Sequence, residues 1–285
     1  MDLLVPHPVA PWWHHQFARW TNGIDGSGPS IDVGRAAYAL SGHGSQLARR
    51  AEDELAVLAE IGDLADGLAT IDAWHQRLFV DFALTGNGAD YHDARNSFLP
   101  DVLARRLGLP ITLALVGRLV AEAAGLVAWG IGFPGHFLLG IAPSGGRWGD
   151  WTAPGARIID AFNGGQIMTA DDAVDRFHTM FGANHRFDHS MLGPVSNAQL
   201  LVRMLNNLKS NYAREKHLFG LCAVARLRTC LPDWSLDEGR ELVRLLTAAS
   251  ALDEASSVLD ELDRRFAADD EILAAERSRL AASLN

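Results

Sequence analysis

The sequence predicts an α+β fold, mostly helical, and three observations carry the prediction. Apolar residues recur at three- and four-residue spacing from Asp32 to Leu84 and again from Ser196 onward, the period of amphipathic helices. Between these stretches lie three short extended runs, 126–133, 136–142 and 156–162, separated by Gly- and Pro-rich turns. Helices first and a small antiparallel sheet second is the order of an α+β domain.

The elements follow in order. Residues 1–30 read as a loop-like N-terminal extension, with Trp12 and Trp13 as an aromatic anchor. The adjacent His14 and His15 do not face one way on a helix and so make a poor metal pair. Segments 31–44, 45–69 and 71–86 read as helices, and "NGADYHDARNSF" as a turn-rich loop. Ser97 or Asn96 is placed to cap the next helix, which carries Pro100 in its first turn and is expected to end at Gly108. "LPITLALVGRLVAEAAGL" is the most apolar helix, with Arg118 and Glu122 four apart on a wet edge and Gly125 closing it. Beyond the strands and the turn "NGG", whose Gly164 and Gly165 suit positive φ, comes "DDAVDRFHTMFG". From residue 191 the chain reads as antiparallel helix pairs resembling tetratricopeptide-like hairpins. The division is thus 1–30, 31–190 and 191–285.

Composition narrows the function. The chain has 285 residues, 48% hydrophobic and 21% charged, with net charge −10, an ordinary globular balance. The acidic total argues against nucleic acid as a partner, since phosphate binding needs a basic field. Cys222 and Cys230 stand eight apart on one expected helix, about 12 Å at 1.5 Å per residue, beyond the Cα separation a disulfide allows. Both read as reduced core thiols. The N-terminal stretch lacks a basic region before an apolar run, and glycines and prolines break the longest uncharged segment, 123–146. A cytoplasmic protein with no membrane partner is expected, with no cofactor and no bound metal.

One stretch could carry chemistry. In "GFPGHFLLGI", His136 stands between a Pro-Gly corner and an apolar run. A catalytic histidine needs an orienting carboxylate and a nucleophile within reach. Asp160 ends the next strand, where an antiparallel neighbour can bring it beside His136. A third group would stand at the start of a buried helix, and the apolar helix opens there with Pro110, Ile111 and Thr112. The plainer readings are a buried, mutually satisfied His136–Asp160 pair and a helix-capping Thr112. The loop "ANHRFDHS" offers His185, Asp188 and His189 as a looser metal candidate. "GHGS" at 42–45 has no preceding strand and no lysine, so it is not a nucleotide loop.

"GNGADYHDARNSFLPDVLARRLGLPITLAL", "GFPGHFLL", "IIDAFNGG" and "LLVRMLNNLKSNY", in this order, resemble the bacterial SirB-type proteins, some of them labelled regulators of SirC expression. The resemblance spans roughly residues 30 to 280, and a related domain occurs in a eukaryotic F-box protein. It implies a transglutaminase-like (papain-like) domain followed by tetratricopeptide-like helices. It also implies a Cys–His–Asp triad, with His136 as the histidine and Asp160 as the aspartate. The cysteine would stand at the start of "LPITLAL", where this chain has Pro110, Ile111, Thr112 and Leu113. The expectation is therefore a degenerate site in a non-enzymatic interaction or regulatory protein. The alternative is an amide hydrolase or acyl-transfer enzyme using His136, Asp160 and Thr112 or water.

A protein partner is expected on the helices. Residues 196–231 hold six basic groups against Glu215, and 232–285 hold thirteen acids against six arginines. Arg203, Lys209, Arg214 and Arg226 are the partner-binding candidates; their spacing requires two helices to bring them together.

Overall fold

The computed structural model describes residues 11–22, 31–266 and 270–283, with backbone alone for 270–272. The chain forms two compact units, Gly44–Met204 and Met1–His43 together with Leu205–Asn285. Both boundaries differ from those read along the sequence. The described residues up to 43 pack with the C-terminal helices, which linear order does not reveal.

The expected N-terminal loop contains a helix, α1 (Trp12–Asn22). Trp13, Phe17 and Trp20 are buried, a four-then-three spacing that places them on one face. Their burial, rather than propensity, fixes this helix. Residues 1–10 and 23–30 lie outside the described residues. Helix α2 (Val33–Ser41) starts where Asp32 accepts from the Arg35 amide. It packs against α1, with Trp12 beside Tyr38 at 6.0 Å.

In the unit Gly44–Met204, α3 (Glu54–Ala65) follows a 3₁₀ turn at Ala51–Asp53. The helix read at 45–69 is thus shorter at both ends. Helix α4 (Ile71–His75) is capped by Thr70 and continues as a π-helix, Gln76–Asp81. Helix α5 (Leu99–Arg105) has Phe98 at its N-cap with no side-chain cap. Neither Ser97 nor Asn96 caps it. Asn96 instead donates to Asp90 O at 2.7 Å and accepts from Asn87 at 3.0 Å, which folds the preceding loop. The helix stops at Arg106, left-handed at φ 60°, not at Gly108. Gly108 belongs to a small parallel ladder of β1 (Thr85–Gly86) and β2 (Leu107–Gly108).

Helix α6 (Pro110–Ala123) is almost wholly buried. It closes as expected at Gly125, φ 75°. Leu126 N bonds Ala121 O at 2.9 Å and Gly125 N bonds Glu122 O at 3.1 Å, the paired bonds of a Schellman end. Arg118 donates to Glu122 at 2.7 Å. The main sheet is antiparallel in order β3 (Val127–Ile131), β4 (Leu138–Ala142), β5 (Arg157–Asp160), β6 (Gln166–Met168). The strands are two or three residues shorter than the apolar runs, and β6 was not expected. Its Gln166 and Ile167 are exposed, so it lacks the pattern of a buried strand.

Helix α6 packs on β3 and β4. Trp129, Ile131, Phe133, Leu138 and Ile158 form a core cluster with Ala173 and Phe177 of α7 (Ala170–Phe181). The sheet is therefore covered by helix on both sides, which explains why β4 is buried along its whole length.

Helix α8 (Asn197–Glu215) carries residues of both units. The helices α9 (Leu218–Thr229), α10 (Leu236–Ala248), α11 (Leu252–Phe266) and α12 (Asp270–Ser283) lie close to the segments read from periodicity. Ser235 and Glu238 form a capping box at α10. Trp234, Leu242, Leu246, Val258, Leu259, Leu262 and Leu273 share one core cluster. Cys222 and Cys230 are free and buried. Among the described residues no helix is long and apolar enough to cross a membrane.

Candidate functional site

His136 is placed by the turn that precedes β4. In "FPGH" the His136 amide donates to Phe133 O at 3.1 Å, and Gly135 has φ 66°. Pro then Gly at the two central positions is the type II pattern, which needs positive φ at the second. Arg203, on α8 but within the same unit, donates through Nη2 to His136 O at 2.8 Å and to Phe133 O at 3.4 Å. Its guanidinium lies 5.2 Å over the Phe137 ring. The turn is thus held from within and from outside.

Asp160 is the last residue of β5. It starts the hairpin "DAFNGG", where Gly164 and Gly165 take φ 63° and 79° as expected. The register pairs Leu139 with Ile159, so Asp160 falls opposite the residue after Phe137 and can reach back to His136. His136 Nε2 and Asp160 Oδ1 are 2.9 Å apart. The sequence reading foresaw this pair. It did not foresee the rest of the shell. Oδ1 also accepts from the Phe162 amide at 3.1 Å and the Asn163 amide at 3.3 Å. Oδ2 accepts from Asn163 Nδ2 at 2.7 Å and from Arg176 Nη1 of α7. The Asp-x-x-Asn spacing is a legible sign of this local turn. Arg176 gives no such sign, being one charge on an amphipathic helix.

The carboxylate is 0% exposed and serves five donors. Burial pushes its pKa up; the hydrogen bond and charge of His136, the charge of Arg176 and the Asn163 amide outweigh burial and hold it at about 2. An ionised Asp160 only accepts, so His136 carries its proton on Nε2. Nδ1 is left as the other ring nitrogen, and among the described residues the ring's hydrogen bond is the one through Nε2. The Phe162 ring meets the imidazole edge-on at 6.1 Å. Phe133, Phe137 and Ile159 are buried nearby in sequence, the apolar setting that the flanking residues suggested.

Thr112 is the third residue of α6 and fully buried. It is not the cap, because the N-cap position belongs to Leu109. Its Oγ1 has no hydrogen-bond partner among the described residues, so neither a base nor a carbonyl engages it.

The basic candidates are mostly occupied. Arg203 clamps the His136 turn. Lys209 pairs with Glu241. Arg226 makes two bonds to Glu254, at 2.7 and 2.6 Å. Arg214 is exposed. Facing acids on α10 and α11 thus pair with two of the four. In the loop after α7, Asp188 accepts from the Ser190 amide at 2.8 Å and His189 stacks on Trp151 at 5.9 Å. His185 contributes its carbonyl to His178. These groups serve local structure.

Known proteins bear on this geometry. A family model described as the transglutaminase-like superfamily matches residues 41–206. A UPF0162 protein of Xylella fastidiosa is 35% identical over 144 residues, 50% of this chain and 48% of its own length. A UPF0162 protein of Vibrio cholerae is 27% identical over 186 residues, 63% of this chain and 66% of its own. Human F-box only protein 21 is 30% identical over 152 residues, 51% of this chain and 22% of its own. The chain spans about half the length of the curated Xylella relatives. No solved structure matches.

Proposed function

Because the chain belongs to the transglutaminase-like superfamily, we propose that it uses the fold without the chemistry, as a cytoplasmic protein-binding, regulatory module of the SirB type. The observation that carries this reading is the missing nucleophile. Residues 41–206 contain no cysteine. Cys222 and Cys230 lie in and just after α9, in the other unit, and are 1% and 0% exposed. The one hydroxyl at the expected position, Thr112 Oγ1, has no base bonded to it. An activated nucleophile is defined by that bond. The His136–Asp160 pair stays because each member satisfies the other in a buried place. The helices that follow, tetratricopeptide-like in pattern, supply the surface for a partner protein.

A second reading, amide hydrolysis or acyl transfer, has one observation in its favour. The Nε2–H tautomer leaves Nδ1 of His136 able to take a proton from water or from Thr112. Ammonia release from a glutaminyl peptide and incorporation of a fluorescent amine into casein separate the two. The wild type and His136→Ala are expected to match buffer alone. Turnover by the wild type that His136→Ala abolishes overturns the non-enzymatic reading.

A further inference from the structure

Helices α10 and α12 border a cavity of about 380 Å³ that the site above does not use. Its walls include Val243, Ala248 and Ala282, its charged groups are Arg244, Arg279 and Glu276, and Thr247 and Ser283 add hydroxyls. The Glu276 side chain is 0% exposed. One oxygen, Oε1, lies near three guanidinium groups: Arg244 at 3.0 Å, Arg240 at 3.3 Å and Arg279 at 3.7 Å. The other, Oε2, is buried with no hydrogen-bond partner among the described residues, as is Arg240 Nε. Buried polar atoms left unpaired are rare and costly, and they point to a missing partner.

The charges do not balance within the protein. Arg240 also reaches Asp237 at 3.4 Å. Among the described residues Arg244 and Arg279 share only the single Glu276 oxygen, and they are 44% and 59% exposed. The cavity mouth is therefore a positive spot in a C-terminal segment that carries thirteen acids against six arginines. It selects a carboxylate, which guanidinium groups bind with directed, charge-assisted bonds. Oε2 asks for an N–H donor. The walls ask for a small apolar group.

We propose that this groove docks an acidic peptide segment of a partner protein. Its Asp or Glu carboxylate meets Arg244 and Arg279, a backbone N–H meets Glu276, and a small apolar side chain lies on Val243, Ala248 and Ala282. A peptide fits better than a free small anion. It alone offers amide donors beside carboxylates along its length, and a mouth rimmed by half-exposed arginines lets a chain run through. The inference rests on the protein-binding reading and names its partner's chemistry.

The test is selection of a random dodecapeptide phage library on the full chain, then fluorescence anisotropy of the winning peptides. Acidic sequences are expected, with affinity falling tenfold or more in Arg244→Gln/Arg279→Gln and falling with salt. Both arginines are partly exposed, so the variant should keep the wild-type melting curve; if it does not, Arg279→Gln alone is measured. Four results overturn the proposal. They are neutral or basic winners, no enrichment, binding that the variant leaves intact, or binding to phosphatidylserine vesicles in place of peptides. His136→Ala must bind as the wild type does. Turnover lost in that variant would defeat the non-enzymatic reading while leaving the docking result legible.

Discussion

Asp160→Ala removes the acceptor for five donors at once. The consequences differ by donor. Asn163 is exposed and Arg176 is 26% exposed, so both can turn to water. His136, with 7% of its side chain exposed, cannot. Its stranded N–H costs about 1–3 kcal/mol. The expected loss is therefore about 1–3 kcal/mol, read from urea unfolding followed by tryptophan fluorescence. A loss under about 1 kcal/mol would mean that the carboxylate holds nothing together, and the reasoning about the pair would fail. A pH series adds an independent check. The folded pKa, about 2, is below the ordinary 3.8, so the stabilisation is fully present above pH ~4 and is lost as pH falls through about 2. The shift corresponds to about 2 kcal/mol. Asp160→Asn cannot titrate there and should lose less between pH 5 and pH 2 than the wild type.

Two further outcomes are expected. Burial raises the pKa of both cysteines, that of Cys230 to about 12; a thiol reagent at pH 8 should label neither in the folded protein and both in urea, and fast native labelling would contradict the packing. His14 is 2% exposed with both ring nitrogens unpaired among the described residues. Burial, then the Arg226 charge, lowers its pKa to about 4. The unfolded chain binds the proton first, so stability is full above pH 6.5 and falls as pH drops toward 4, by about 3 kcal/mol in total. His14→Phe should remove that slope between pH 7 and pH 5, and an unchanged slope would refute the assignment.

What the sequence made legible was what period and turn chemistry encode. The helices after residue 196, the buried α6 with Gly125 at its end, and the three main strands all follow from spacing. So does the His136–Asp160 contact, because a Pro-Gly corner and an Asp-initiated hairpin sit at the ends of neighbouring strands. The misses have physical causes. Trp13, Phe17 and Trp20 make α1 helical only through burial against elements distant in the chain. The exposed β6 is held by its ladder to β5, not by an apolar pattern. Ser97 has the residue type of a cap, but its Oγ is buried and has no hydrogen-bond partner among the described residues. Arg176 reaches Asp160 from sixteen residues on, and no periodicity shows which charge of an amphipathic helix turns inward. The pairing of Lys209 and Arg226 with Glu241 and Glu254 likewise depends on which helices become neighbours.

The arrangement explains how a domain without a cysteine can still keep the His136–Asp160 pair. Asp160 closes its own hairpin through the Phe162 and Asn163 amides and ties that hairpin to α7 through Arg176. His136 in turn fills Asp160 and sits in a turn clamped by Arg203. These groups carry structural weight, and replacing one strands another in a buried place. The start of α6 carries no comparable network. Thr112 Oγ1 bonds nothing among the described residues, so a change there disturbs no partner. Folding thus depends on His136 and Asp160, and on no cysteine or bonded hydroxyl at the start of α6 among the described residues.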